Sequence, residues 1–235
     1  MRDAIRHFVA EFVGTFALVF VGGASIVHAF APGGGGMVQV ALAHGLILFA
    51  LVTATMRISG HFNPAVTLGF LAARRIEPMM AGVYVVAQLL AAMLAAYALL
   101  GLLPMEAVTA ARAGGQAVAL DVTGGQAVAL EAIATFFLTF VIFGTAVDPK
   151  APRVGGLAIG LVLGACILAI GPYTGGSLNP ARSLGPAVAT GDFTAQYVYW
   201  VGPILGAVAA ALLYDSIFLR REPEPVDHGA VRPAP

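Results

Sequence analysis

The sequence predicts an all-α membrane protein with six transmembrane helices and two re-entrant half-helices, arranged as an inverted repeat. Three observations carry that prediction. The 235 residues are 59% hydrophobic and only 10% charged, with a mean hydropathy of +0.90, whereas a soluble globular chain carries about 25% charged residues. Apolar runs long enough for a bilayer core, which takes about 20 helical residues, recur over roughly 8–30, 38–56, 79–101, 127–147, 154–171 and 196–219. The tripeptide Asn-Pro-Ala occurs twice, as Asn63-Pro64-Ala65 and Asn179-Pro180-Ala181, each in a gap between long runs and each leading into a short apolar stretch, 65–73 and 181–189.

The first run begins "MRDAIRHFVAEFVGTFALVFVGG". It has a basic start, but it is too apolar for too long and lacks a small-residue cleavage site, so a retained first span is expected rather than a signal peptide. Orientation follows from the basic residues. Arg2, Arg6, Arg57, Arg74, Arg75, Lys150, Arg153, Arg220 and Arg221 fall at the N-terminus, the second and fourth connections and the C-terminus, all on one face if there are six spans; the other face offers Arg112 and Arg182. Both termini are therefore expected to be cytoplasmic. Short loops and no targeting segment lead to the expectation of a prokaryotic inner membrane. Zero net charge gives no support to nucleic-acid binding. The single Cys166 excludes an internal disulfide framework and a cysteine zinc site, and reads as a small apolar helix residue. No cofactor or metal is implied.

The halves resemble each other. "AEFVGTFALVFVGG" (10–23) parallels "LEAIATFFLTFVIFG" (130–144), each with one acid early in a helix, Glu11 and Glu131. Each unit has three spans and a half-helix, and three is odd, so the second copy lies upside down relative to the first. Inverted repeats with interrupted helices place the working site at the midplane between them. One domain is expected over 1–220, with repeat one over about 1–105, repeat two over about 125–220, and a Pro-rich, charged, disordered tail over 221–235. A smaller echo, "GGQAVAL" at 114–120 and 124–130, reads as a local loop duplication without functional weight.

Asparagine is a favoured helix N-cap and proline a favoured first helical residue, so a lone Asn-Pro-Ala would mark only a helix start. Two copies at matching places in inverted repeats imply more. Non-helical backbone at membrane depth persists only where it is buried in protein or lines water. Half-helices entering from opposite faces bring Asn63 and Asn179 together, their positive ends repelling cations and their amides donating to solute oxygens. The unwound stretches before them, Gly60, His61 and Phe62 and then Gly175, Gly176 and Ser177, supply a ladder of carbonyl acceptors. Arg182, costly in hydrocarbon, faces water or partners and repels protons and other cations. These features describe a pore for small neutral polar molecules.

"HFNPAVTLG", "LNPARS" and the early "AEF…G" resemble the aquaporin (major intrinsic protein) family over the chain bar both tails. The resemblance implies a right-handed bundle of six helices and two half-helices, assembled as a homotetramer in the lipid bilayer with one pore per subunit. It also implies structural roles for Glu11 and Glu131, as acceptors for the loops carrying the tripeptides. The family's four-position filter falls on His44, Ile167, Gly176 and Arg182, a set resembling some plant tonoplast members that pass ammonia and urea, although the third connection has no loop histidine. Ser183 after the arginine, Ala187 and the pair Tyr199–Trp200 fit the water-type pattern. Water is the expected substrate, with ammonia, hydrogen peroxide and urea as further solutes. The alternatives are a wider channel for metalloid acids or glycerol-like solutes, or an inverted-repeat secondary transporter; no enzyme site is expected.

At one position two readings compete, and His44 is favoured because its match lies within a rigid span while the loop at 57–62 can absorb a missing residue. Family members carry an extra residue between the glycine and histidine of "SGHFNPA", so strict counting selects Ala43 where the "ALAHGL" match (41–46) selects His44. One residue is about 100° of helix rotation, so the two cannot face the pore equally.

Overall fold

The structure is a computed structural model describing residues 2–152 and 154–219; the tail expected to be disordered lies outside the described residues, as do Arg153, Arg220 and Arg221. Every regular element among them is helical: α1 (Arg2–Ala29), α2 (Gly36–Thr55), α3 (Pro64–Ala72), α4 (Pro78–Leu102), α5 (Met105–Ala110), α6 (Gly124–Ile142), α7 (Gly155–Thr174), α8 (Pro180–Thr190) and α9 (Val198–Ile217). Six are long and apolar enough to cross a membrane: α1, α2, α4, α6, α7 and α9. The first span starts at Arg2, ahead of its apolar run, because a polar first turn with an Asp3–Arg6 pair continues the helix. α6 ends in a π turn at Phe143–Val147. The short α5 in the third connection has no hydropathy signal and was not expected.

α3 and α8 are the half-helices. Their 9 and 11 residues span about 14 and 17 Å at 1.5 Å per residue, about half of a roughly 30 Å hydrocarbon core. Both begin the same way. Asn63 is extended and its side chain accepts from Ala65 N; Asn179 is extended and accepts from Ala181 N and Arg182 N; a proline follows each. The cap satisfies otherwise orphaned N–H groups.

The repeats interlock: α3 packs on α9 and α8 packs on α4, so each half-helix lies against the third span of the opposite repeat. Glycines permit the close crossings. A Cβ on Gly45 of α2 would lie 2.7 Å from the Gly160 carbonyl of α7, and one on Gly202 of α9 would lie 2.7 Å from the Val128 carbonyl of α6. Small residues at such crossings let backbones approach where lipid supplies no hydrophobic drive between helices.

Candidate functional site

The two extended loops before α3 and α8 meet at the centre. Asn63 Nδ2 donates to the Leu178 carbonyl at 2.7 Å, and Asn179 Nδ2 donates to the Phe62 carbonyl at 2.8 Å. Each asparagine thus hydrogen-bonds the residue preceding the other. With its oxygen occupied by the cap of its own half-helix, each carboxamide keeps one free N–H. The carbonyls of Phe62 and Leu178 are drawn into this lock, while Gly60, His61 and Ser177 line the adjoining cavity.

Each loop is held from behind by a fully buried acid. Glu11 accepts from the N–H groups of His61 (2.8 Å) and Phe62 (2.7 Å), from Gln88 Nε2 (2.6 Å) and from the Ser59 hydroxyl. Glu131 accepts from the N–H groups of Ser177 (2.9 Å) and Leu178 (2.7 Å) and from the Thr174 hydroxyl (2.7 Å). Two successive N–H groups can reach one carboxylate because Phe62 (φ 48°) and Leu178 (φ 56°) are left-handed. That conformation costs non-glycine residues on the order of 1 kcal/mol or more, which the charge-assisted hydrogen bonds offset.

Arg182, in the first turn of α8, is buried. Its Nε donates to His44 Nε2 at 3.2 Å, its Nη1 donates to the Gly114 carbonyl at 3.2 Å, and its Nη2 has no partner among the described residues. His44 Nδ1 lies 2.8 Å from the Val40 carbonyl. A carbonyl only accepts, so Nδ1 carries the proton and Nε2 is the acceptor for Arg182. Both nitrogens are used, and the imidazole is neutral. His44, and not the half-buried Ala43, is the residue beside Arg182. Ile167 is buried on α7 and lies against Gly176, where a Cβ would meet Ile167 Cα at 3.2 Å. This pair does not border the central cavity as His44 and Arg182 do, and neither does Gly175.

That cavity has a volume of about 20 Å³, on the scale of a single water position. His44, Arg182, Asn63, Asn179 and His61 place polar groups along it, and Leu18, Leu48, Val66, Leu138, Ile142, Ile159 and Leu163 supply an apolar remainder. The two carboxylates are balanced by the Arg182 guanidinium and the two half-helix ends, each worth roughly half a positive charge. Hydrogen-bond donors border this cavity at the asparagine pair and at Arg182.

Several contributors carry no motif. Thr67 accepts from Gln88 Nε2 at 3.0 Å and lies 3.1 Å from His61 Nδ1. Gln88 was detectable as a lone amide inside an apolar span, since a buried amide needs partners. Gly114 was not: the first "GGQAVAL" copy, read as having no functional weight, supplies the carbonyl that holds Arg182.

The major intrinsic protein family profile matches residues 1–214. The chain is 42% identical over 246 residues to the probable aquaporin TIP3-2 of Arabidopsis thaliana, covering 98% of this chain and 90% of the relative. It is 42% identical over 226 residues to aquaporin TIP2-1 of Zea mays, covering 92% and 88%. The X-ray structure of the aquaglyceroporin from Plasmodium falciparum superposes with a TM-score of 0.76 at 28% identity, covering 91% of this chain and 96% of that one. These relatives overturn the expectation of a prokaryotic inner membrane: they are TIP aquaporins of the plants Arabidopsis thaliana and Zea mays. The short loops behind that expectation follow from the packing of neighbouring spans, and they carry no address.

Proposed function

The chain belongs to the major intrinsic protein family and is a passive channel for water and small solutes, not an enzyme, and on that premise we propose that its solute path runs past His44 and Arg182 and between Asn63 and Asn179. The observation that carries this reading is the reciprocal lock of the two tripeptide loops beside a cavity of about 20 Å³.

In this reading the free N–H of each carboxamide donates to the oxygen of a passing water. Two donors at one point turn that water's hydrogens outward, towards both ends of the file. A proton cannot hop through a water so oriented, and the half-helix ends and the Arg182 guanidinium raise the barrier further for any cation. The Gly60, His61 and Ser177 carbonyls accept from solute on either side. The apolar walls offer no competing partner, so no water is held tightly. At the narrow end, Arg182 Nη2 donates, with His44 and Gly114 fixing the guanidinium. Gly176 presents no side chain and Ile167 no polar group at this end, and urea, ammonia and hydrogen peroxide are the additional solutes of this reading. Glu11 and Glu131 act as scaffolding.

One domain over 1–220 forms each pore, from repeat one (about 1–105) and repeat two (about 125–220). The working form is a homotetramer in the lipid bilayer. The test is stopped-flow light scattering of proteoliposomes after an osmotic jump, with a panel of water, ammonia, urea, glycerol and hydrogen peroxide. Water flux should be fast and have a low activation energy, independent of ion gradients, and glycerol should lag. Water permeability no higher than that of empty liposomes refutes the reading.

A further inference from the structure

Three consecutive residues of the third connection, Arg112 (φ 51°), Ala113 (φ 50°) and Gly114 (φ 78°), are left-handed. A Cβ makes that conformation unfavourable, and it persists only where the surroundings impose it. On the inner side, Ala113 and Gly114 are buried, Ala113 packs with Leu99 and Val108, and Gly114 lies so close to Gly23 of α1 that a Cβ would not fit. On the outer side, Arg112 Nη1 lies 3.4 Å from Asp192 Oδ2, on the connection between α8 and α9. Asp192 Oδ1 accepts from the Thr194 N–H at 3.0 Å, and the Thr194 hydroxyl and N–H hold the Asp192 carboxyl below its ordinary range, so it is charged at neutral pH. The turn ends at the Gly114 carbonyl, one of two side-on supports of the Arg182 guanidinium; the other is His44.

We propose that Arg112 and Asp192 are positioning residues for solute selection: their ion pair braces the left-handed turn at 112–114, which holds the Gly114 carbonyl against Arg182 and so sets the width of the opening. The inference rests on the proposed path past Arg182. Neither side chain borders the central cavity, and both are substantially exposed, at 51% and 37%. An exposed pair contributes little to global stability. Here it acts on a turn already biased to unwind, so a small loss of restraint reaches the guanidinium.

Asp192→Asn tests the proposal, because the amide oxygen keeps the Thr194 bond while the charge is lost. Arg112→Gln breaks the same pair from the other side. Urea and water permeabilities of each reconstituted channel are compared, and their ratio is expected to rise by about two- to fivefold in both variants, the range an exposed pair supports. The double variant Arg112→Gln with Asp192→Asn should move the ratio no further than either single variant, since each removes the same pair. A purely structural role would lower both permeabilities together. An unmoved ratio in the single variants, or single effects that add in the double variant, overturns the brace. A wild-type protein that conducts nothing overturns the channel reading and the brace with it; a conducting wild type with an unmoved ratio overturns the brace alone.

Discussion

Replacing Glu131 by glutamine isolates the buried acid behind the second loop. All three of its partners are donors: Ser177 N–H at 2.9 Å and Thr174 Oγ1 at 2.7 Å on one oxygen, Leu178 N–H at 2.7 Å on the other. Whichever way the new amide is turned, its NH2 faces one backbone N–H, either that of Ser177 or that of Leu178. A hydrogen bond to a charged acceptor, worth about 1.5–3 kcal/mol, is lost, and the orphaned buried N–H adds about 1–3 kcal/mol. Partial relaxation brings the expected cost to about 3 kcal/mol. At about 2–4 °C per kcal/mol for a chain of this length, the melting temperature should fall by about 6–12 °C. Because Leu178 is left-handed and accepts from Asn63, the loosened loop should also lower water permeability. The assay is thermal unfolding of the purified protein alongside osmotic light scattering of reconstituted vesicles. A Glu131→Gln protein that melts within about 2 °C of wild type and conducts water at the wild-type rate would show that the carboxylate does not anchor the loop.

Two further predictions concern His44. A Cβ at Gly22 of α1 would overlap the His44 ring, reaching 2.6 Å from its Cδ2, so Gly22→Ala should cost about 1–3 kcal/mol by overpacking and change the urea-to-water ratio; wild-type melting with an unchanged ratio would refute the coupling. His44→Phe removes the acceptor for Arg182 Nε and should reduce ammonia and urea flux more than water flux in the same vesicles, whereas an equal fall for all solutes would remove His44 from selection.

The spans and the half-helices were legible because their causes are local. About 20 apolar residues specify a bilayer crossing, and an asparagine cap followed by proline specifies a helix start wherever it stands. The boundaries of the first span and the short α5 were not, because polar turns extend helices without altering hydropathy. The parallel placement of Glu11 and Glu131 was visible as a repeat, yet their individual donors depend on two left-handed residues, Phe62 and Leu178, that nothing in a single sequence announces.

By itself, the sequence determined a membrane-embedded inverted repeat with two capped half-helices and a buried arginine, since hydropathy and capping act over a few neighbouring residues. The tertiary structure alone decided which atoms face one another. The lock between Asn63 and Leu178 and between Asn179 and Phe62 joins residues 115 and 117 positions apart. The choice of His44 over Ala43 beside Arg182 depends on the rotation of α2, set by its close crossing with α7 at Gly45 and Gly160. One residue turns a helix by about 100°, and only packing against a neighbour fixes that angle.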